Sequence, residues 1–240
     1  MGSAAAAASR KACDAAGWGG YFVSRWLIAC EESGTVRDAF LRAGIDAVSC
    51  DLKPTRSPGP HIQGEVRKVL WREEWAGIIA HPDCTYLTLA GVRWLFDRGA
   101  STPTVLKGPE RWKALFEAAE FFNLFRDHPC ERVCIENPIM HGYAQKLVGG
   151  TATQYIQPYQ FGHLETKRTG LRLKGLPSLV PTNDVGAEMR LLPKRDTHKV
   201  HYCSPGAKRA EQRSVFFSGI GDAMAAQWGS GGSRKEHEND

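Results

Sequence analysis

Residues 21–51 read YFVSRWLIACEESGTVRDAFLRAGIDAVSCD, and this stretch decides the fold. Tyr21 to Ala29 is predicted as a first strand, apolar over most of its length. Cys30-Glu31-Glu32-Ser33-Gly34 makes a turn. From Thr35 to Ala43 the residues Val36, Ala39, Phe40 and Ala43 share one helical face, and Gly44 ends the helix. Ile45 to Cys50 is a second strand, closed by Asp51. Strand, turn, helix, strand and acid together open a nucleotide-binding α/β domain. Asp51 stands where a carboxylate can accept hydrogen bonds from ribose hydroxyls. The turn is poor in glycine and holds two acids. These would repel a diphosphate and suit a ligand with a cationic centre.

Further along, Trp75 to Ala80 is a short apolar run of strand type, and it leads into His81-Pro82-Asp83-Cys84-Thr85-Tyr86. In open α/β sheets ligands bind where the chain leaves the carboxyl end of a strand. Cys84 is therefore well placed for chemistry. Alone, a Pro-x-Cys turn reads as an inert buried thiol; the stretches below shift it towards a functional one. Arg132 to Ile135 is another short strand, followed by Glu136-Asn137-Pro138. A carboxylate there either caps the next turn or joins the site.

The chain has 240 residues, 42% of them hydrophobic, which suits one sizeable domain with a small appendage. No apolar run is long enough for a membrane span. A net charge of +5 is compatible with a nucleic-acid partner without requiring one. The 7 cysteines show no paired Cys-x-x-Cys spacing. A disulfide framework and a metal site are therefore not expected, and a reducing cytoplasm is the natural compartment.

Residues 1–20 are an Ala-, Gly- and Ser-rich leader and 229–240 a Gly-, Ser- and charge-rich tail; both are expected to be disordered. Pro54 to Pro60 is a loop. Leu87 to Gly99 begins a helix or ordered loop that carries Arg93 and Arg98. Glu110 to Arg126 is the best helix in the chain, and Trp112, Leu115, Phe116, Ala119, Phe122 and Phe125 are read as its core face rather than a base-stacking platform. Gln154 to Phe161 is strand-like. It runs into the basic stretch Lys167-Arg168, an anion site or a charged hairpin, and then Leu171-Arg172-Leu173. Residues 174–212 are rich in Pro, Lys, Arg and His. A terminal helix follows within 213–228.

The order of these stretches resembles that of the cytosine carbon-5 DNA methyltransferases, most closely small phage-type members. Leu27 to Ala29 with Ser33-Gly34 resembles the first cofactor motif, Asp51 the second-strand acid, and Gly64-Glu65-Val66 the Gly-Asp-Ile motif. Pro82-Asp83-Cys84 resembles the Pro-Cys nucleophile motif and Glu136-Asn137-Pro138 the Glu-Asn-Val/Pro motif. Lys167/Arg168 resembles the Gln-x-Arg-x-Arg motif, and Ile220-Gly221-Asp222-Ala223-Met224 the late Gly-Asn-Ser/Ala motif. The resemblance spans residues 25–228. It implies a Rossmann-like class I methyltransferase sheet with helices on both faces, a catalytic domain over 21–173, and a reduced target-recognition region over 174–212.

It also implies S-adenosyl-L-methionine as methyl donor and DNA, double-stranded, as substrate, with the target base flipped out. Cys84 would be the nucleophile, Glu136 the acid at ring nitrogen 3, and Arg168 the holder of the base carbonyl. The donor site would comprise Ala29, Cys30, Glu31, Ser33, Gly34, Asp51, Glu65, Pro82, Asp222 and Ala223, with Glu31 or Glu32 facing the sulfonium. Lys167, Arg190, Arg195 and Arg213, together with Lys194, Lys208 and Arg209, would contact phosphates, giving relaxed sequence specificity. The chain is expected to act as a monomer.

Asp83 stands where the family has proline, Glu65 replaces Asp, and Asp222 replaces Asn. An inward-facing Asp83 would disfavour a thiolate. Two alternatives remain at this point: the same fold with a modified donor or another pyrimidine, and a non-catalytic DNA-binding homologue. An amino-methyltransferase fits the His81-Pro82-Asp83-Cys84 stretch poorly.

Overall fold

The computed structural model describes residues 24–96, 105–202 and 216–229. The expected leader, the tail beyond Gly229, Arg98, Lys208, Arg209 and Arg213 lie outside the described residues.

Seven strands form one sheet in the order β3-β2-β1-β4-β5-β7-β6. They are β1 (Trp26–Ala29), β2 (Ala47–Asp51), β3 (His61–Gln63), β4 (Gly77–Ala80), β5 (Val133–Pro138), β6 (Gln154–Ile156) and β7 (Thr169–Lys174). β1 to β5 are parallel, and β7 enters antiparallel between β5 and β6. Helices are α1 (Thr35–Arg42), α2 (Val66–Val69), α3 (Gly108–Arg126), α4 (Gly142–Leu147), α5 (Gly186–Arg190), α6 (Lys194–Thr197), α7 (Lys199–Tyr202) and α8 (Ser218–Trp228). A 3-10 helix covers Leu89–Leu95. This is a Rossmann-like α/β fold with helices on both faces of the sheet, as expected.

Side chains alternate across a strand, and the two cores follow from that parity. On one face Leu27, Ala29, Ile78, Ala80, Val133 and Ile135 pack with Leu115, Ala119, Phe122 and Phe125 of α3. On the other, Trp26, Ile28, Ile79 and Cys134 pack with Val36, Ala39 and Phe40 of α1 and with Ile220, Ala223 and Met224 of α8. Strands buried on both faces read as continuous apolar runs, which is why β1 and β4 are legible in the sequence. Gly221 lets α8 lie close on α1: a Cβ there would sit 3.4 Å from the Thr35 carbonyl oxygen and 3.5 Å from the Ala39 Cβ.

Several expectations are corrected. β3 is only three residues long, too short for periodicity to mark. The strand expected over Gln154 to Phe161 stops at Ile156; Pro158, with no amide hydrogen to give a ladder, opens a 3-10 turn. Phe116, expected in the core, is 48% exposed because the buried stripe of α3 runs through Arg111, Leu115, Ala119 and Phe122. Glu136 is not beyond its strand. The arrival of β7 extends β5, so that Glu136 pairs with Leu171 and Pro138 with Thr169. Among the described residues no helix is long and apolar enough to cross a membrane.

Candidate active site

Strand order reverses between β1 and β4, and at such a point the connections diverge and leave a crevice at the carboxyl edge. The register sets what lines it. Ala29 lies beside both Cys50 of β2 and Ala80 of β4, and Ala80 lies beside Ile135 of β5. Residues one step further, Cys30, Asp51, His81 and Glu136, therefore stand in a row along one edge. A cleft of about 650 Å³ opens there, lined among others by Glu31, Asp51, Glu65, His81, Cys84 and Glu136.

The cysteine loop is held from several sides. Asp83 turns its carboxylate onto the next residue but one: Oδ1 accepts from the Thr85 amide at 2.9 Å and the Thr85 hydroxyl at 2.6 Å. The Asp83 carboxylate is thereby engaged in a local turn. Arg111, buried in the first turns of α3, donates from Nη2 to the Thr85 carbonyl at 3.3 Å and stacks over Tyr86. His141 donates from Nε2 to the Tyr86 carbonyl at 3.0 Å, while its Nδ1 accepts the Ala144 amide at the start of α4. That acceptor role fixes the neutral Nε2–H tautomer. Burial holds the His141 pKa below the usual histidine value, and the neighbouring Arg111 adds to the effect.

Other cysteines differ. Cys30 lines the cleft, but burial, then Asp51, Cys50 and Glu65, raise its thiol pKa far above the usual range. Cys50 is pushed up to about 11, mainly by burial and next by Asp51. Cys134 is fully buried in the second core and raised by burial. At neutral pH these three are thiols rather than nucleophiles. Cys84 lines the cleft on a surface loop.

Glu136 Oε2 lies 3.4 Å from His81 Nδ1, and each side chain is 13% exposed. The contact follows from parity: His81 is two residues past Ile79 and Glu136 two past Cys134, and those two are paired neighbours on one face. His81 carries no assigned role in the sequence reading. The signal that would find it is this spacing, once β4 and β5 are known to be adjacent.

Of the residues the sequence suggests for a donor site, Glu31, Ser33, Asp51, Glu65 and Pro82, with Cys30, line the cleft. Both oxygens of Glu31 are engaged: Oε1 accepts the Val36 amide at 2.7 Å and Oε2 the Arg37 amide at 3.2 Å. Glu31 thus caps α1 rather than standing ready for a cation. Glu32 is tied to Arg56 at 2.6 Å and Lys53 at 3.3 Å. Gly34, with φ of 77°, and the fully buried Ala29 support the turn from behind and are not lining residues. A Cβ at Gly34 would meet the guanidinium of the buried Arg37, which also holds the Ser57 carbonyl and thereby the Pro54–Pro60 loop.

Asp222 and Ala223 do not line the cleft. Asp222 points to Arg42 of α1 at 2.6 Å, and Ala223 is buried against α1. The terminal segment reaches the cleft by Phe216, whose ring meets the His81 ring edge-on at 4.9 Å. Lys167 and Arg168 also part ways, since neighbours in an extended segment face opposite sides. Lys167 lines the cleft with its ammonium 5.9 Å from the Phe217 ring centre; Arg168 is exposed and stacks on Tyr155 at 4.3 Å. Arg190, Lys194 and Arg195 are exposed on α5 and α6. That region is docked beside Lys167 through the Thr166 amide, which donates to the Thr197 carbonyl at 2.8 Å, and through a Lys199–Glu165 pair. No group of three or more metal-ligating side chains occurs among the described residues.

No family model and no curated relative matches the chain. Among solved structures it resembles an Escherichia coli prophage protein assigned as a DNA modification methyltransferase, at 13% identity and a TM-score of 0.41, over 66% of this chain and 51% of that one. It also resembles a mutant of Spodoptera frugiperda DNMT2, at 11% identity and a TM-score of 0.33, over 65% of this chain and 53% of that one. The chain spans about half the length of these solved proteins.

Proposed function

We propose that the chain transfers a methyl group from S-adenosylmethionine to carbon 5 of cytosine in DNA, through a covalent bond to Cys84. One observation carries the reading: Cys84 and Glu136 line a single cleft at the switch point of the sheet together with Asp51 and Glu65. Carbon 5 of cytosine is a poor nucleophile. When Cys84 sulfur bonds to carbon 6, ring electrons move towards carbon 5 and it becomes nucleophilic. Glu136, as a carboxylic acid, gives its proton to ring nitrogen 3 and neutralises the charge that develops there. Once carbon 5 is substituted, its proton leaves to water and the sulfur–carbon bond breaks. The nitrogen proton then returns to Glu136.

The cleft suits the donor. Asp51 and Glu65 lie at the ends of β2 and β3, where hydroxyls and amino groups of a nucleoside can be met by carboxylates. S-adenosylmethionine supplies an electrophilic methyl when bound. Lys167, rather than Arg168, is placed to hold the base carbonyl or a phosphate. Arg190, Lys194 and Arg195 are the described cations offered to the DNA backbone, so affinity should fall steeply with salt.

The test is nucleoside mass spectrometry of DNA incubated with enzyme and labelled S-adenosylmethionine. Labelled 5-methylcytosine is the expected product. Label on an exocyclic amine would reassign the reaction. No label, with donor and DNA both bound, would favour the non-catalytic alternative.

A further inference from the structure

His81 sits at the carboxyl end of β4 with its backbone amide hydrogen-bonded to the Ala29 carbonyl at 2.9 Å. Its ring is walled by Phe216 on one side and by Glu136 on the other. Nδ1 faces Glu136 Oε2 at 3.4 Å. Nε2 is buried and has no hydrogen-bond partner among the described residues. The two nitrogens are thus unequal. A proton on Nε2 would be a buried donor with nothing to accept it, which costs about 1–3 kcal/mol. A proton on Nδ1 meets a carboxylate.

We infer that His81 is a positioning residue for the acid: it carries its ring proton on Nδ1 and holds Glu136 by Oε2, so that Oε1 is left for the substrate. The inference rests on the proposed role of Glu136. Other charged or titratable groups lining the same cleft are Cys30, Glu31 and Glu32 from the β1–α1 turn, Cys50 and Asp51 from β2, Lys53 and Arg56 from the loop after it, Glu65 and Arg67 at the start of α2, Asp83 and Cys84 from the loop after His81, and Lys167 from the segment before β7. The carboxylate against the His81 ring is that of Glu136, from β5.

Replacing the ring by one of similar shape without a donor, His81→Phe, should lower kcat by roughly tenfold to a hundredfold. KM for DNA should change little. His81→Asn restores a donor near the Nδ1 position and should return kcat towards wild type. A merely structural histidine would not split kcat from KM in this way, nor would Asn rescue kcat.

The deciding experiment needs no turnover. Two-bond proton–nitrogen NMR correlations on nitrogen-labelled wild-type protein, with His81 assigned by comparison with His81→Asn, report which ring nitrogen carries the proton. A ring proton on Nδ1 is the expected result, and in Glu136→Gln that preference should weaken. An Nε2–H tautomer would overturn the inference. Absence of methyl transfer by wild-type protein would instead sink the reading of Glu136 as an acid and leave the tautomer measurement standing.

Discussion

Cys30 and Cys84 leave neighbouring parallel strands at the same edge of the sheet and line the same cleft. Their surroundings differ in what they do to a thiol. Cys30 follows β1 directly, takes a φ of 59°, and is sunk beside Asp51, Cys50 and Glu65. Burial and those acids raise its pKa far above the usual range. Cys84 follows β4 after a proline and an aspartate, on a loop gripped by Arg111 and His141 from two other elements. The nearest acid, Asp83, is turned onto Thr85. Being at a strand end is thus common to both. A loop fixed by outside groups distinguishes the one we propose as nucleophile.

The largest expected effect breaks the comparison outright. Cys84→Ala should lower methyl transfer by more than about a thousandfold, since removal of a nucleophile is rarely compensated. Steady-state product formation checks this, and near-normal turnover would move the chemistry elsewhere. Glu136→Gln comes next. It keeps the shape and removes the transferable proton, so a loss of about a hundredfold to ten-thousandfold is expected in kcat with donor affinity retained. Isothermal titration alongside kinetics separates the two.

Arg111→Met sharpens the contrast, because it leaves both cysteines in place and loosens only one loop. A charged hydrogen bond of this kind contributes about 1.5–3 kcal/mol, so both the Cys84 reaction rate and the unfolding midpoint should fall. Unchanged trapping kinetics at Cys84 would show that the clamp is not needed. Cys30→Ser should alter turnover by less than about threefold, the small change expected when an inert thiol is replaced by a hydroxyl.

The clamp also has a pH signature. His128, His141 and His163 each accept a backbone amide, and burial lowers each pKa below the ordinary value. In the unfolded chain they take up protons as pH falls through about 6.5, before the folded protein does. The unfolded state then binds more protons, so this stability is complete above that pH and is lost below it, with a slope of up to about 1.4 kcal/mol per pH unit for each histidine. Denaturant unfolding at pH 7.5 and 5.5 should show the loss, and His141→Asn should reduce it. Equal stability at both pH values would contradict the neutral assignment.

Much of this fold is legible in the sequence because its central strands are buried on both faces. β1, β2 and β4 announce themselves as apolar runs, and α3 by its stripe. The short edge strand β3 leaves no such pattern, and the strand-like run from Gln154 marks β6 but overshoots it, continuing to Phe161. Within the site, residues at strand ends could be read one at a time: Asp51, Cys84 and Glu136 all line the cleft. What could not be read is anything that depends on which strands are neighbours. His81 beside Glu136 needs the β4–β5 register, and Lys167 facing in while Arg168 faces out needs the path into β7. Glu31 illustrates a further limit. An acid in the turn suggests a cationic ligand, yet its carboxylate is taken by the backbone amides that open α1. Asp222 and Ala223 lie in a helix whose neighbour is α1, and only the packing of α8 shows that Phe216 is the residue it brings to the cleft.

The central claim is that one particular thiol bonds to the base. Intact-mass spectrometry after incubation with S-adenosylmethionine and DNA containing 5-fluorocytosine tests it most directly, comparing wild type, Cys30→Ala and Cys84→Ala. The account predicts a DNA adduct with wild type and Cys30→Ala and none with Cys84→Ala. An adduct that persists in Cys84→Ala, or that maps to Cys30, would contradict it.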